Sequence, residues 1–181
     1  LGPFYVDTTA PSVPGTPSTT TPTSDSTPTW SFTASTDASS GLHATTPYSV
    51  QWCTDSGFTG CAANTGTATT NSFTHSTALS DGTWYFKMKA KDAVLNESNY
   101  SSNGSVLIDT AAPTVSSVAS SPTSSGAPIT WTTDESSSSK LDYGLTNSYG
   151  NSTNETDTSP RVTSHSVALT GLVACTTYHY R

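Results

Sequence analysis

The chain has 181 residues with 6 Lys or Arg against 13 Asp or Glu, a net charge of −7, and it carries 36 Thr and 32 Ser. Six dispersed cations give no footprint for nucleic acid, which needs clustered Lys and Arg to release counterions, and no apolar run approaches the roughly 18–20 residues that cross a bilayer. Leu, Ile, Val and Phe number only 26, yet just 10% of residues are charged and the bulky apolar ones recur periodically, which excludes a polyelectrolyte tail. The opening residues show neither a basic n-region nor an apolar h-region, so a signal peptide is expected to lie outside this sequence.

In chain order, the first signal is a repeat. Val6-Asp7-Thr8-Thr9-Ala10-Pro11-Ser12-Val13 returns as Ile108-Asp109-Thr110-Ala111-Ala112-Pro113-Thr114-Val115, 102 residues later. A period near 100 residues is too long for a solenoid and fits tandem immunoglobulin-sized domains. Each copy reads as a last strand ending at Asp, a small-residue linker broken by Pro, and a first strand. Between the copies the residues alternate as in half-buried strands. Trp30, Phe32 and Ala34 point one way, as do Tyr48, Val50 and Trp52. Trp84, Phe86, Met88 and Ala90 alternate with Tyr85, Lys87, Lys89 and Lys91, which places the lysines toward water. Val106 and Ile108 close the set. Large aromatics offset the shortage of Leu and Ile, so the core is expected to centre on Trp30, Trp52 and Trp84. Turn formers separate the runs: residues 37–41, Asp55-Ser56-Gly57 and Asp81-Gly82. After the second copy the scheme returns with Val115 and Val118, Ile129 and Trp131, Leu141 and Tyr143, Val167 and Leu169, then Tyr178 and Tyr180. Nothing repeats at helical spacing.

These runs resemble bacterial fibronectin type III modules. Pro28-Thr-Trp-Ser-Phe-Thr-Ala-Ser-Thr-Asp37 is similar to the second strand of that family, Tyr48-Ser-Val-Gln-Trp52 to the third, and Asp55-Ser56-Gly57-Phe58 to the corner after it. Residues 81–92 resemble the sixth strand, with Trp84 where the family usually has a Tyr whose hydroxyl bonds back to the preceding corner. The second half resembles the fibronectin-like domain at the front of purple acid phosphatase-like proteins, through Ile129-Thr-Trp-Thr-Thr-Asp-Glu135, Leu141-Asp-Tyr-Gly144, Ser148-Tyr-Gly150, Leu169-Thr-Gly-Leu172 and Thr177-Tyr-His-Tyr-Arg181. Nothing here is similar to the phosphatase metal ligands. The resemblance implies an all-β chain of two tandem immunoglobulin-like, fibronectin type III-like β-sandwiches: a strand and linker at 1–10, a first domain at 11–110, and a second at 111–181 that lacks its last strand.

Spacings that carry chemistry are few. There is no nucleophile elbow, zinc-protease helix motif, phosphate loop or Cys-x-x-Cys. His43, His75, His165 and His179 stand apart with no carboxylate at regular offset, which points to surface or strand positions. Asp92, Asn96, Glu97 and Asp109 are hard oxygen donors near a domain end, but their spacing matches no calcium loop, so neither a metal nor a cofactor is expected. A carbohydrate platform needs exposed aromatics on one face, and only Tyr85, Tyr100 and Tyr149 look placed for it. Cys53 and Cys61 lie eight residues apart across a turn and are expected to form a disulfide. Cys175 is left over, as a half-buried free thiol or an intermolecular bridge. N-glycosylation sequons stand at Asn96, Asn99, Asn103, Asn151 and Asn154, in expected loops or turns, and residues 16–29 and 120–125 suit O-linked sugars.

The resulting expectation is a non-catalytic, secreted or cell-surface protein, a structural or adhesive repeat unit of a filament, stalk or adhesin. The alternative is an accessory or carbohydrate-binding module of a secreted hydrolase. Its partners are expected to be itself, in a head-to-tail homopolymer, or neighbouring repeats of the same chain, with glycans as further candidates and no nucleic acid or membrane insertion. By the repeat, residues 1–6 are a surplus last strand, with Leu1, Phe4 and Val6 as candidates for donation to the incomplete second domain of another subunit. The other expectation is an excerpt of a longer repeat array.

Overall fold

Proline placement decides how the first segment of the chain sits. The computed structural model describes residues 6–181, so Leu1 and Phe4 lie outside the described residues. Residues 11–18 run beside the first strand, β1 (Thr29–Ser31), yet form no regular strand. Pro11, Pro14 and Pro17 have no N–H, so the backbone bonds only at Ser12, Gly15 and Ser18, whose N–H groups reach the carbonyls of Thr36, Thr33 and Ser31. The three prolines turn inward and are buried.

The described residues are all-β, in two compact units divided after Ala111. Unit 1 continues with β2 (Tyr48–Cys53), β3 (Thr65–Ala68), β4 (Ser72–Thr74), β5 (Gly82–Ala90) and β6 (Gly104–Ile108). β1 pairs with β4, and the second sheet has the order β3-β2-β5-β6, every pairing antiparallel. Inward residues of β5 and β6 follow the period-two pattern: Phe86, Met88, Ala90, Val106 and Ile108 are all buried. β1 ends early because Asn71 takes over its backbone, accepting the Phe32 N–H at 3.2 Å and donating its amide to the Phe32 carbonyl. The expected alternation therefore fails beyond Phe32: Ala34 is exposed, and Ser35 turns in, its N–H bonded to the Tyr48 hydroxyl at 3.0 Å.

The core also differs from the expected tryptophan triad. Trp30 is fully buried and stacks on Phe86 with centroids 4.9 Å apart, and Phe32 meets Tyr48 edge-on. Trp52 and Trp84 are only partly buried at its rim. Trp84 instead spends its indole N–H on the Ser80 carbonyl at 2.9 Å, bonding back to the corner before β5. The lysines of β5 are not simply solvated. The Lys87 ammonium lies over the rings of Phe58 and Tyr100, and that of Lys89 pairs with Glu97, so the charged heads are held on ring faces and a carboxylate. At the end of β2, Cys53 and Cys61 form a disulfide with Cα atoms 5.6 Å apart.

Beside the core, His75 packs edge-on against Trp52, Phe73 and Phe86 and is almost fully buried. Desolvation pushes its pKa down from 6.5 to about 4. Between those values the unfolded chain binds a proton that the folded unit refuses, so stability present above pH 6.5 is lost as pH falls toward 4. Unit 1 is expected to lose about 2 kcal/mol over that range. Urea midpoints at pH 7, 5.5 and 4 check this, and His75→Leu should flatten the profile across the same window.

Unit 2 comprises β7 (Val115–Ser120), β8 (Gly126–Ser137), β9 (Asp142–Gly144), β10 (Asn151–Ser152), β11 (Val162–Thr170) and β12 (His179–Tyr180). Its sheets have the orders β11-β8-β7 and β10-β9-β12. Ser116 and Ala119 stand where unit 1 has Pro14 and Pro17, so here the first segment does form a strand, with a register shift between these two residues. Ile129, Trp131, Leu141, Val167 and Leu169 make a smaller core. The β-rich architecture is compatible with a fibronectin type III-like module.

Candidate functional site

The two units differ most at one sheet edge. In unit 1, β6 lies antiparallel to β5, pairing Gly82 with Ile108 and Phe86 with Gly104, and a parallel bridge joins Ile108 to Thr23. That strand closes the side of the unit between its two sheets. In unit 2 no strand among the described residues pairs with the outer edge of β12. Beside that edge lies a groove of about 630 Å³ lined by Val115, Val118, Ile129, Trp131, Leu141 and Tyr180. It continues, past Ile129 and Tyr180, into a second lobe of about 320 Å³ against Leu169, Leu172 and Tyr178. Every residue of β7 is exposed, Val115 by 57% and Val118 by 53%. Unpaired backbone groups beside apolar side chains make such an edge a pairing site. Val6 is likewise exposed, by 66%.

Unit 2 also gathers a Ser, a His and an Asp that no sequence offset announced. His165, buried on β11, stacks on Trp131 with centroids 5.0 Å apart. Its Nδ1 lies 2.7 Å from the Ser139 hydroxyl, whose proton goes to Asp157 Oδ2 at 2.5 Å. Its Nε2 lies 2.8 Å from the Thr133 hydroxyl and 3.3 Å from that of Ser137. Nucleophilic catalysis needs the imidazole between serine and carboxylate with the hydroxyl open to substrate. Here Ser139 sits in the middle and is fully buried. The set is a satisfied polar core that ties β8 and β11 to the bridged chain at Ser139 and Thr156. Of the other histidines, His179 is exposed and His43 Nδ1 caps the backbone of Thr46.

In unit 1 the carboxylates of Asp7, Asp37 and Asp92 come within 4.8 Å of one another. Of the four oxygen donors singled out from sequence, only Asp92 joins this group as a carboxylate. Asn96 enters as a donor, its amide bonding the Asp7 carbonyl and Asp92 Oδ2. Glu97 is held by Lys89, and Asp109 caps the Ala111 N–H. Asp37 Oδ1 accepts the N–H groups of Ser39, Ser40 and Gly41, and Asp92 Oδ1 those of Val94 and Asn96. Asp7 accepts from Thr9 and Ser40. Calcium takes about 6–8 oxygen ligands, whereas these oxygens are largely engaged by N–H donors. The arrangement clasps the entering chain to the turn after β1 and the end of β5.

The remaining candidates scatter. Tyr85 and Tyr100 are in unit 1, while Tyr149 is in unit 2 beneath the Arg181 guanidinium. Cys175 is exposed rather than half-buried, with a left-handed φ of 57° that favours Gly or Asn. Among the sequons, Asn99 and Asn154 are exposed, Asn103 donates its amide to the Ser56 carbonyl, and Asn96 is engaged in the clasp. Asn151 lies in β10 and not in a loop, its backbone paired with Tyr143. Among the described residues, no helix is long and apolar enough to cross a membrane.

No family model matches the chain, and no curated protein matches it. Among solved structures it is similar to chitinase ChiA74 from Bacillus thuringiensis, at 21% identity and a TM-score of 0.46, over 98% of this chain and 30% of that one. The chain thus spans less than a third of the length of that neighbour, and a likeness at this level carries no argument about activity.

Proposed function

We propose that the chain is a non-catalytic extracellular structural or adhesive module, a repeat unit of a cell-surface filament, stalk or adhesin. One observation carries this reading: the repeated last-strand, linker and first-strand element. Its second copy folds as β6, a short linker and β7. In its first copy, Asp7 and Ser12 are bonded into unit 1. An element that ends one sandwich and begins the next suits modules joined end to end. The disulfide suits an oxidising compartment, and exposed sequons at Asn99 and Asn154 suit a glycosylated surface. The titratable side chains in unit 2 that resemble a catalytic set are enclosed and spent on one another.

Two measurements on the full chain test this. Negative-stain microscopy of native material, labelled with antibody to this chain, should show linear assemblies. Incubation with insoluble polysaccharides should show neither retention nor release of soluble sugar. Retention that is lost in Tyr100→Ala, whose ring is 42% exposed, with label confined to a soluble hydrolase, would replace this reading with that of a carbohydrate-binding accessory module.

A further inference from the structure

His75 is only 4% exposed, and its Nε2 meets no hydrogen-bonding group among the described residues. Buried ring nitrogens are almost always paired, so one that is not calls for a partner from outside the chain. The rings of Trp52, Phe73 and Phe86 enclose the imidazole edge-on. It also lines a cavity of about 260 Å³, together with Trp52, Asn64, Phe73, Ser76 and Thr77.

Backbone bonds hold this cavity in shape. The Trp52 N–H bonds the Asn64 carbonyl at 3.1 Å, and the Asn64 N–H bonds the carbonyl of Cys61, which the disulfide ties back to Cys53. The His75 N–H reaches the Pro28 carbonyl at 3.3 Å and the Leu79 N–H that of Ser26 at 2.8 Å, which fixes residues 75–79 to the segment before β1. A preformed site of this kind loses little ordering entropy on binding.

The lining selects the ligand. Trp52 and Phe73 are half-buried rings with apolar faces, Asn64 carries an amide, and Ser76 and Thr77 carry hydroxyls. None of the described lining residues is Asp, Glu, Lys or Arg, and burial lowers the His75 pKa to about 4, so its imidazole is neutral at neutral pH. A charged ligand would lose its water here without gaining a counter-charge. A purely apolar one would leave the imidazole unpaired. A ring with an apolar C–H face and hydroxyls around its edge meets both requirements, and the volume holds one such ring.

We propose that this cavity binds the terminal ring of a neutral glycan, with its C–H face against Trp52 and Phe73 and its hydroxyls bonded to the His75 imidazole and the Asn64 amide. This rests on the structural or adhesive reading and names the ligand class of its adhesive form. A cavity for one ring accepts a chain end and excludes the interior of a polysaccharide strand, in keeping with the lack of retention expected on insoluble polysaccharides.

The test titrates the full chain with the methyl glycosides of glucose, galactose, mannose, N-acetylglucosamine and N-acetylgalactosamine, followed by two-dimensional NMR of backbone and side-chain amides. At least one glycoside should bind saturably with a Kd on the order of millimolar, shifting the Asn64 side-chain amide and the backbone amides of residues 75–77. His75→Phe keeps an aromatic ring in the core and removes both ring nitrogens. Asn64→Ala removes the amide from a side chain that is only partly buried. Each variant should keep the dispersed spectrum of a folded unit 1 and bind at least about tenfold more weakly. Phenol, a flat neutral ring without the hydroxyl edge, should shift the same amides at least about tenfold more weakly as well. Absence of saturable shifts with every one of these glycosides overturns the proposal. So does binding that Asn64→Ala and His75→Phe both leave unchanged, or that phenol matches. None of these outcomes touches the non-catalytic reading, which fails separately, on sugar release.

Discussion

Trp30→Ala is expected to cost unit 1 about 3–5 kcal/mol, enough to unfold it at room temperature. The side chain is wholly buried, stacked on Phe86 and close to the backbone of Gly104, the cross-strand neighbour of Phe86 in the facing sheet. Both neighbours belong to paired strands, so the walls of the cavity cannot collapse without breaking sheet hydrogen bonds. Removing an indole therefore loses its transfer energy and leaves most of its volume empty. Trp52→Ala is the internal control. Trp52 is only partly buried at the rim, against Phe73 and His75, and its loss should cost about 1–2 kcal/mol. Denaturant melts of the two variants decide the matter. A Trp52 variant less stable than the Trp30 variant would show that the core is centred elsewhere.

The second large effect is expected in unit 2, where His165→Ala should cost about 3–4 kcal/mol. The substitution removes the ring stacked on Trp131 and strips partners from the hydroxyls of Ser139 and Thr133, both in buried residues. Each hydroxyl keeps a partner, Asp157 Oδ2 for Ser139 and the Glu135 carbonyl for Thr133, but each loses a buried hydrogen bond worth about 0.5–1.5 kcal/mol, and a core of five buried apolar residues has little in reserve. Trp131 is the only tryptophan after residue 111, so its indole N–H resonance, followed by NMR through a denaturant melt, reports this unit. Because Ser139 and His165 share the network, Ser139→Ala should cost much less when His165 is already alanine than in the parent. Additive losses in that double-mutant cycle would contradict a coupled network.

Much of the fold was legible because a strand displays its environment at period two. Trp84-Tyr-Phe-Lys-Met-Lys-Ala90 marks its inward face, and one such face requires another to cover it. Turn formers on either side of Cys53 and Cys61 made their pairing readable as a short closed loop. Period two says which way a side chain points but not how deep it lies. Trp30, Trp52 and Trp84 look alike in sequence, and only the opposing sheet distinguishes the buried centre from the rim. Proline arithmetic likewise needed the partner strand. A first strand is expected after Pro11, yet Pro14 and Pro17 lack N–H groups and leave the segment bonded at every third residue. The polar clusters were invisible. Asp7, Asp37 and Asp92 are 30 and 55 residues apart in order, and Ser139, Asp157 and His165 come from an isolated bridge, the residue after its partner Thr156, and a strand. Sequence by itself determined the β periodicity, the 102-residue repeat and the short disulfide loop, because each is set by neighbouring residues or by recurrence along the chain. Tertiary structure alone decided the core centre and the buried polar sets. These depend on which strands lie opposite one another across a sandwich, and such contacts are made by topology rather than by local pattern.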